Sequence, residues 1–279
     1  MRLGIVGGGR AAWAFGSGWR RAGGPLAGVS LRPGSRSALP ALLGTSAVAR
    51  ADLAASSDLI LLALPDAALA SVGPEIARDA REGALLFHPS GSATSAVFGS
   101  AARAFSLHPL RSLPPVGDPI DLSSTLFVFE GPPALRDPAR EIAAALGGTF
   151  AEIAADAKAL YHASAVLGSN GVAALLEVAA DLFAGCGLEG AAMRRAVAGL
   201  AQSAVANWEL SRERFTGPVM RAETATIEGH LAALARVDRD RAELYRRLAL
   251  EIAEAVRRRG DDSAELTEII GLLRTRALS

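Results

Sequence analysis

The polar residues that are scarce in this chain are those best suited to chemistry. Its 279 residues include one lysine, Lys158, against 28 arginines, and four histidines, His88, His108, His162 and His230. The only two asparagines are Asn170 and Asn207. Three of these rare residues fall in one stretch, Lys158-Ala-Leu-Tyr161-His162-Ala-Ser164-Ala-Val-Leu-Gly-Ser169-Asn170. At about 100° per residue on a helix, His162 lies about 40° and Ser169 about 20° from Lys158, with Asn170 about 120° away at the margin of that face. A polar stripe on an otherwise apolar helix must be paired or face a cavity. Hydride transfer to a carbonyl needs a donor for the developing alkoxide, and a Lys or His with a tuned pKa can be that donor. His162, with Lys158 and Asn170, is therefore the expected acid/base and carbonyl-orienting set. A satisfied structural network at a domain interface is the alternative.

Two further histidines close predicted strands. His88 follows Ala84-Leu85-Leu86-Phe87 and leads into Pro89-Ser90-Gly91-Ser92, and His108 follows Ala104-Phe105-Ser106-Leu107. In a parallel sheet both lie on one edge, where Ser90 and Gly91 can hydrogen-bond a substrate carboxylate or carbonyl and His108 helps complete the pocket. Otherwise a His-Pro step simply ends a strand and the imidazole satisfies the loop. Farther along, Thr216-Gly217-Pro218 is a turn ahead of a helix that carries His230. Ser169, Thr216 and His230 complete the expected substrate set.

Elements must bring these residues together. Up to about residue 153, apolar runs alternate with helical stretches: Leu3 to Val6, Val29 to Leu31, Leu59 to Leu64, Ala84 to Phe87 and Thr125 to Phe129 read as strands. Continuous apolar runs fit parallel strands covered on both faces, so a doubly wound α/β sheet is expected for residues 1–153. From 154 to 279 the pattern is helical, with segments at 156–185, 189–212, 222–235, 238–258 and 263–275. The run 157–184 is apolar around much of its circumference, as expected of a central buried helix of the second domain, covered also by a second subunit.

Directly after the first strand comes Gly7-Gly8-Gly9-Arg10-Ala11-Ala12, which fits Gly-x-Gly-x-x-Gly/Ala. Gly7 allows the turn, Gly9 admits a pyrophosphate, Ala12 keeps the helix on the sheet, and the helix start from Arg10 offers free N–H groups. A NAD site places an acid at the end of the second strand, yet no Asp or Glu occurs between Arg10 and Asp52. Arg32, Ser35 and Arg36 stand there instead and can bind a 2′-phosphate, so NADP is the expected cofactor. Leu64 and Pro65, at a later strand exit, are expected to touch it through backbone and packing.

Composition narrows the function classes. With 29 basic and 29 acidic residues the formal charge is zero, which argues against a nucleic-acid or anionic-lipid footprint. The single cysteine, Cys186, excludes an internal disulfide framework. The histidines are too scattered for a local metal motif. The first apolar run is short for a signal peptide, and no uninterrupted apolar run reaches the ~18 residues of a membrane span. A cytoplasmic enzyme with a small-molecule substrate is expected. A nucleotide sensor without turnover is the alternative.

The combined pattern resembles a bacterial family of Rossmann-like oxidoreductases whose helical C-terminal domain is uncharacterised and similar to that of 6-phosphogluconate dehydrogenase. The stretches that carry the likeness are Gly7 to Ala12, Leu64-Pro65-Asp66, His88-Pro89-Ser90-Gly91 and His108-Pro109-Leu110, followed by Tyr161-His162 through Ser169-Asn170 and Thr216-Gly217-Pro218 through Arg221 and Thr226 to His230. The sequence departs at Ala12 for the third glycine, at Arg111 where the family often has Gln, and at Ala222-Glu223 where Gly-Asp is usual. The resemblance implies a NADP-linked dehydrogenase or reductase acting on CH–OH or C=N groups, with its active site between two domains. It also implies a homodimer formed through the helical domains. Some relatives resemble alternative ketopantoate reductases, which makes a small oxo or hydroxy acid, ketopantoate first, the expected substrate. The fold is similar also to pyrroline-5-carboxylate reductases and prephenate-type dehydrogenases.

Overall fold

The computed structural model describes residues 1–100, 103–210 and 215–275. The chain divides into two compact units, Met1–Asn170 and Gly171–Ser279. The first is an α/β unit built on one seven-stranded sheet in the order β2-β1-β3-β4-β5-β6-β7. Its strands are β1 (Leu3–Val6), β2 (Leu26–Ser30), β3 (Leu59–Leu62), β4 (Leu85–His88), β5 (Ala104–Pro109), β6 (Leu126–Glu130) and β7 (Thr149–Glu152). The helices are α1 (Arg10–Arg21), α2 (Leu39–Leu42), α3 (Arg50–Ser56), α4 (Asp66–Asp79), α5 (Arg136–Ala145) and α6 (Lys158–Val166).

The strands are apolar on both faces because both faces are covered. Along β3, Leu59 and Leu61 join one core with Phe15 of α1, while Ile60 and Leu62 join another with Leu69 and Ile76 of α4. Phenylalanines fill the first core: Phe87 stacks on Phe105 at 5.6 Å, and Phe15 packs on Phe87 at 5.5 Å. Each such side chain contributes roughly 1.5–3 kcal/mol by leaving water. This core fixes the carboxyl ends of β1, β3, β4 and β5, which run parallel.

Three sheet details differ from the sequence expectation. β6 runs antiparallel to β5, pairing His108 with Val128 and Pro109 with Phe127. That pairing extends β5 through Pro109, so His108 lies inside the strand rather than beyond its end. β3 instead stops at Leu62, which leaves Leu64 and Pro65 in the turn. β7 was not visible in the sequence: it is a half-buried edge strand, Thr-Phe-Ala-Glu, without a continuous apolar run. The first unit also extends past 153, because Lys158 of α6 inserts its side chain among sheet residues.

The second unit contains α7 (Val172–Gly185), α8 (Ala191–Glu209), α9 (Thr224–Val237), α10 (Arg239–Arg257) and α11 (Ala264–Thr275). The predicted helix 189–212 ends on residues 211–212, which lie outside the described residues. The core is formed by α9, α10 and α11, with Ile227, Leu231, Ala253, Ile269 and Leu273 buried. The N-terminus of α10 is capped by Asp238, whose carboxylate accepts N–H groups from Asp240 and Arg241.

The expected central buried helix is corrected here. A π-helical turn, Leu167–Gly171, interrupts the run 157–184, and α7 beyond it has no buried residue. Packed mainly on α8 and tied to α10 through Asp181 and Arg241 at 2.8 Å, it leaves much of its apolar circumference open. On α8, Leu200 and Trp208 are 64% and 61% exposed. By length and composition the helical run 155–185 is apolar enough to cross a membrane, with a mean hydropathy of 1.4 over its best window, because scattered serines and glycines do not break such an average.

Candidate functional site

Two cavities open along the carboxyl edge of the first unit's sheet. One, of about 390 Å3, lies at the ends of β1, β2 and β3, where strand order reverses about β1. Ligands of open α/β sheets bind at such a switch point. Gly7 turns the chain with φ +116°, and a Cβ there would collide with the Ala63 carbonyl. Gly9 precedes α1, and a Cβ on it would meet nothing within 4 Å, so this backbone is open to close approach. No side chain caps α1, which leaves its first N–H groups directed at that space. Ala12 is fully buried against the sheet.

The structure sorts the remaining predicted contacts at this cavity. Arg32, Ser35, Leu64 and Pro65 line it. Arg36 is exposed and is not part of the wall, because the turn that brings Ser35 inward directs Arg36 outward. The Arg10 guanidinium instead donates to the Leu113 carbonyl at 3.4 Å, leaving Arg10 its helix-start N–H. Ser37 and Arg50 also line the cavity, and neither was foreseen. Ser37 donates to the Gly8 carbonyl at 3.0 Å, and Arg50 is paired with Glu75 at 2.8 Å. Arg50 starts α3, and no local motif connects it with the glycine turn.

The second cavity, about 640 Å3, lies between the end of β5 and α6 with its π turn. Its wall includes His108, Tyr161, His162, Ser169 and Asn170. His108 Nδ1 and the Tyr161 hydroxyl share a hydrogen bond of 2.5 Å. The ring of His162 stands nearly perpendicular to His108, with centroids 6.3 Å apart. Gly91 makes this convergence possible: a Cβ there would lie 2.5 Å from His162 Nδ1 and 3.1 Å from His108 Nε2. His162 Nδ1 is buried without a hydrogen-bond partner among the described residues.

Lys158 stands behind this wall rather than in it. It is 2% exposed, and its Nζ donates to the Ser90 carbonyl at 2.9 Å and to Ser106 Oγ at 2.7 Å. Burial pushes the ammonium down from the ordinary 10.5 to about 8, against the pull of Glu130 and Asp66. Burial, reinforced by Lys158 and His162, holds His108 at about 4, so its imidazole is neutral at neutral pH. Burial raises the Tyr161 phenol to about 12, and it keeps its proton.

Other predicted residues have structural partners. Ser90 Oγ accepts N–H groups from Ser92 and Ala93 at 3.2 and 2.9 Å, so its hydroxyl holds its own loop and does not line the cavity. His88 is fully buried. Its Nδ1 accepts from Ser90 N at 3.2 Å, which leaves Nε2 to donate to the Thr94 carbonyl at 3.1 Å. Ser169 Oγ donates back to the Ala165 carbonyl at 2.7 Å. The π turn changes the angular phase after Leu167, and so Asn170 shares the wall with His162 despite its place at the margin of an ideal α-helix. Thr216 and His230 belong to the second unit, where Thr216 is exposed and His230 pairs with Tyr245.

A glycine turn opening a helix at the switch point of a mostly parallel sheet defines a Rossmann-like protein. Residues 1–109 match the model of the Rossmann-like domain, and residues 125–252 that of a domain of unknown function, DUF2520. The chain belongs to the proteins that join a Rossmann-like domain to a DUF2520 domain. Solved structures share the fold. A candidate NADP oxidoreductase from Bacteroides fragilis superposes with a TM-score of 0.74 at 21% identity, covering 91% of this chain and 98% of its own. A reductive aminase from Aspergillus terreus, solved with NADPH and ethyl levulinate, gives 0.65 at 18% identity, covering 98% and 99%. An imine reductase from Myxococcus stipitatus, solved with NADP+, gives 0.60 at 20%, covering 97% and 100%. No curated protein matches the chain.

Proposed function

We propose that this protein is a NADP-dependent oxidoreductase that reduces, or forms by oxidation, a C=O or C=N bond in a small oxo or hydroxy acid. The observation that carries this reading is the convergence of His108, Tyr161 and His162 on one cavity, along the same sheet edge as the glycine turn. The fold shared with NADP-binding imine reductases and a reductive aminase supports it.

The glycine cavity fits a dinucleotide: it is open at Gly9, it carries the free N–H groups of α1, and Arg32 and Ser35 in its wall can supply partners to a 2′-phosphate. Bound there, the cofactor supplies or accepts the hydride. The chain's own residues manage protons and orientation. His162 is the acid/base group in the wall, and Asn170 orients the carbonyl or imine. Neutral His108, paired with protonated Tyr161, presents a hydrogen bond without adding charge. Lys158, with a pKa near 8, holds a proton beside this group and anchors the Ser90–Gly91 loop.

The decisive experiment follows NADPH and NADH absorbance across oxo acids, ketopantoate first, and cyclic imines. NADPH consumption with at least one substrate, and slower consumption of NADH, is expected. NADPH binding without turnover on any of them would replace this reading with a nucleotide sensor, and equal rates would remove the NADP preference.

We also infer a homodimer in the cytoplasm, with the apolar faces of α7 and α8 covered by a second copy. Its support is their exposed Leu175, Leu200, Val205 and Trp208, beside a run whose first half carries Lys158, Tyr161 and His162 against a sheet rather than against lipid. A monomer in light scattering would overturn it.

A further inference from the structure

We propose that Arg111 is the substrate-recognition residue of the second cavity, and that the substrate it selects carries a carboxylate beside its carbonyl or imine carbon. This rests on the oxidoreductase reading and names the charge of its substrate. Arg111 follows β5 by two residues and lines the cavity three residues after His108. Its backbone is held where it leaves the strand: Leu110 N donates to the Leu126 carbonyl at 2.9 Å, and Arg111 N to the Pro109 carbonyl at 2.7 Å. The side chain therefore leaves from a fixed base in the wall that His108 and His162 share.

Two observations give that guanidinium a ligand to bind. First, no acidic side chain is found among the described residues of the cavity wall. His108 and Tyr161, which line the wall beside His162, are held neutral by burial, and Lys158 behind the wall adds a second positive charge. Second, Arg111 has no ion pair among the described residues, whereas Arg50, Arg136, Arg241 and Arg246 all do. Asp121, a carboxylate whose charge Arg111 influences, is occupied by Ser123 through N–H at 2.9 Å and Oγ at 2.6 Å. An arginine fork without an ion pair among the described residues, in the wall of a cavity whose described wall holds no acid, is complementary to a carboxylate. Ser112 and Ser164, also in the wall, add hydroxyls at the same rim.

The test uses the NADP+-loaded protein and two probes that differ by the carboxylate, 3-methyl-2-oxobutanoate and the ketone 3-methylbutan-2-one, titrated by calorimetry. The wild type is expected to bind the acid at least about tenfold more tightly than the ketone, as a charge-assisted pair would give. Arg111→Gln should erase that preference while NADP+ affinity stays unchanged, and Arg111→Lys should keep part of it. Equal binding of both probes by the wild type, no binding of the acid, or a preference that survives in Arg111→Gln overturns the proposal. NADPH oxidation by the same preparations, with the ketone and a cyclic imine included, reports separately on the reaction. Turnover without acid preference overturns the role of Arg111 alone, and acid preference without turnover on any substrate overturns the oxidoreductase reading alone.

Discussion

The molecule contains two histidine–tyrosine pairs of nearly identical geometry. His108 and Tyr161 meet at 86° with centroids 5.6 Å apart, and His230 and Tyr245 at 84° and 5.5 Å. Both share a hydrogen bond from Nδ1 to the phenol, 2.5 Å in the first and 2.8 Å in the second. Their surroundings differ. The first pair joins β5 to α6 across 53 residues, in the wall of a cavity, beside a second imidazole and near a buried ammonium. The second joins neighbouring helices of one hairpin across 15 residues, with His230 exposed. Pair geometry alone therefore does not make a site. Removal from water moves His108 to about 4 and Tyr161 to about 12 and gives the first pair its defined protonation states.

The largest expected effect is on turnover. His162→Ala, beside the buried pair, should lower kcat by about 10²- to 10⁴-fold, the usual worth of a positioned proton donor, with NADPH binding intact. His230→Ala should cost less than about tenfold on the same scale. A loss at His230 as large as that at His162 would break the contrast and bring the second unit into the chemistry.

A smaller effect is expected on stability against pH. His88 and His108 are both lowered to about 4 by burial. Between about 6.5 and 4 the unfolded chain therefore binds protons that the native protein does not, and stability falls as pH falls through that window. Each buried imidazole contributes at most roughly 3 kcal/mol to this loss. Denaturant midpoints measured at pH 7, 5.5 and 4 should show the decline, and His108→Gln should flatten it. An unchanged slope would mean that His108 is not desolvated.

The smallest effect separates the two phenols. Tyr161→Phe leaves a half-buried imidazole nitrogen unpaired and should cost about 1–2 kcal/mol, whereas Tyr245→Phe, facing an exposed His230, should cost about 0.5 kcal/mol. Matched losses in thermal melts would erase the distinction in burial.

Much of the first unit was legible because its signals are local. Leu59-Ile60-Leu61-Leu62, a short apolar run between turn residues, reads as a strand covered on both faces, and Gly7 to Ala12 announces a turn into a helix. β7 and the reversal of β6 were not legible, since an edge strand needs no continuous apolar run and strand direction is set by pairing across the sheet. Arg50 escaped notice because only the fold carries α3 to the glycine cavity, and Arg111 stood out only as a departure from a resembling family. The run 157–184 was misjudged as buried because an apolar circumference does not by itself say what packs against it, and α7 has no buried residue.

By itself the sequence determined the alternation of strands and helices ahead of a helical half, the glycine turn and the short roster of residues able to handle protons. Only the tertiary structure decided which of them meet. His108 and His162 converge against Gly91, His88 is spent on its own loop, Lys158 withdraws behind the wall, and His230 pairs within the other unit. The physical reason is that proximity across 50 or more residues and the loss of water around an ionisable group arise from long-range packing.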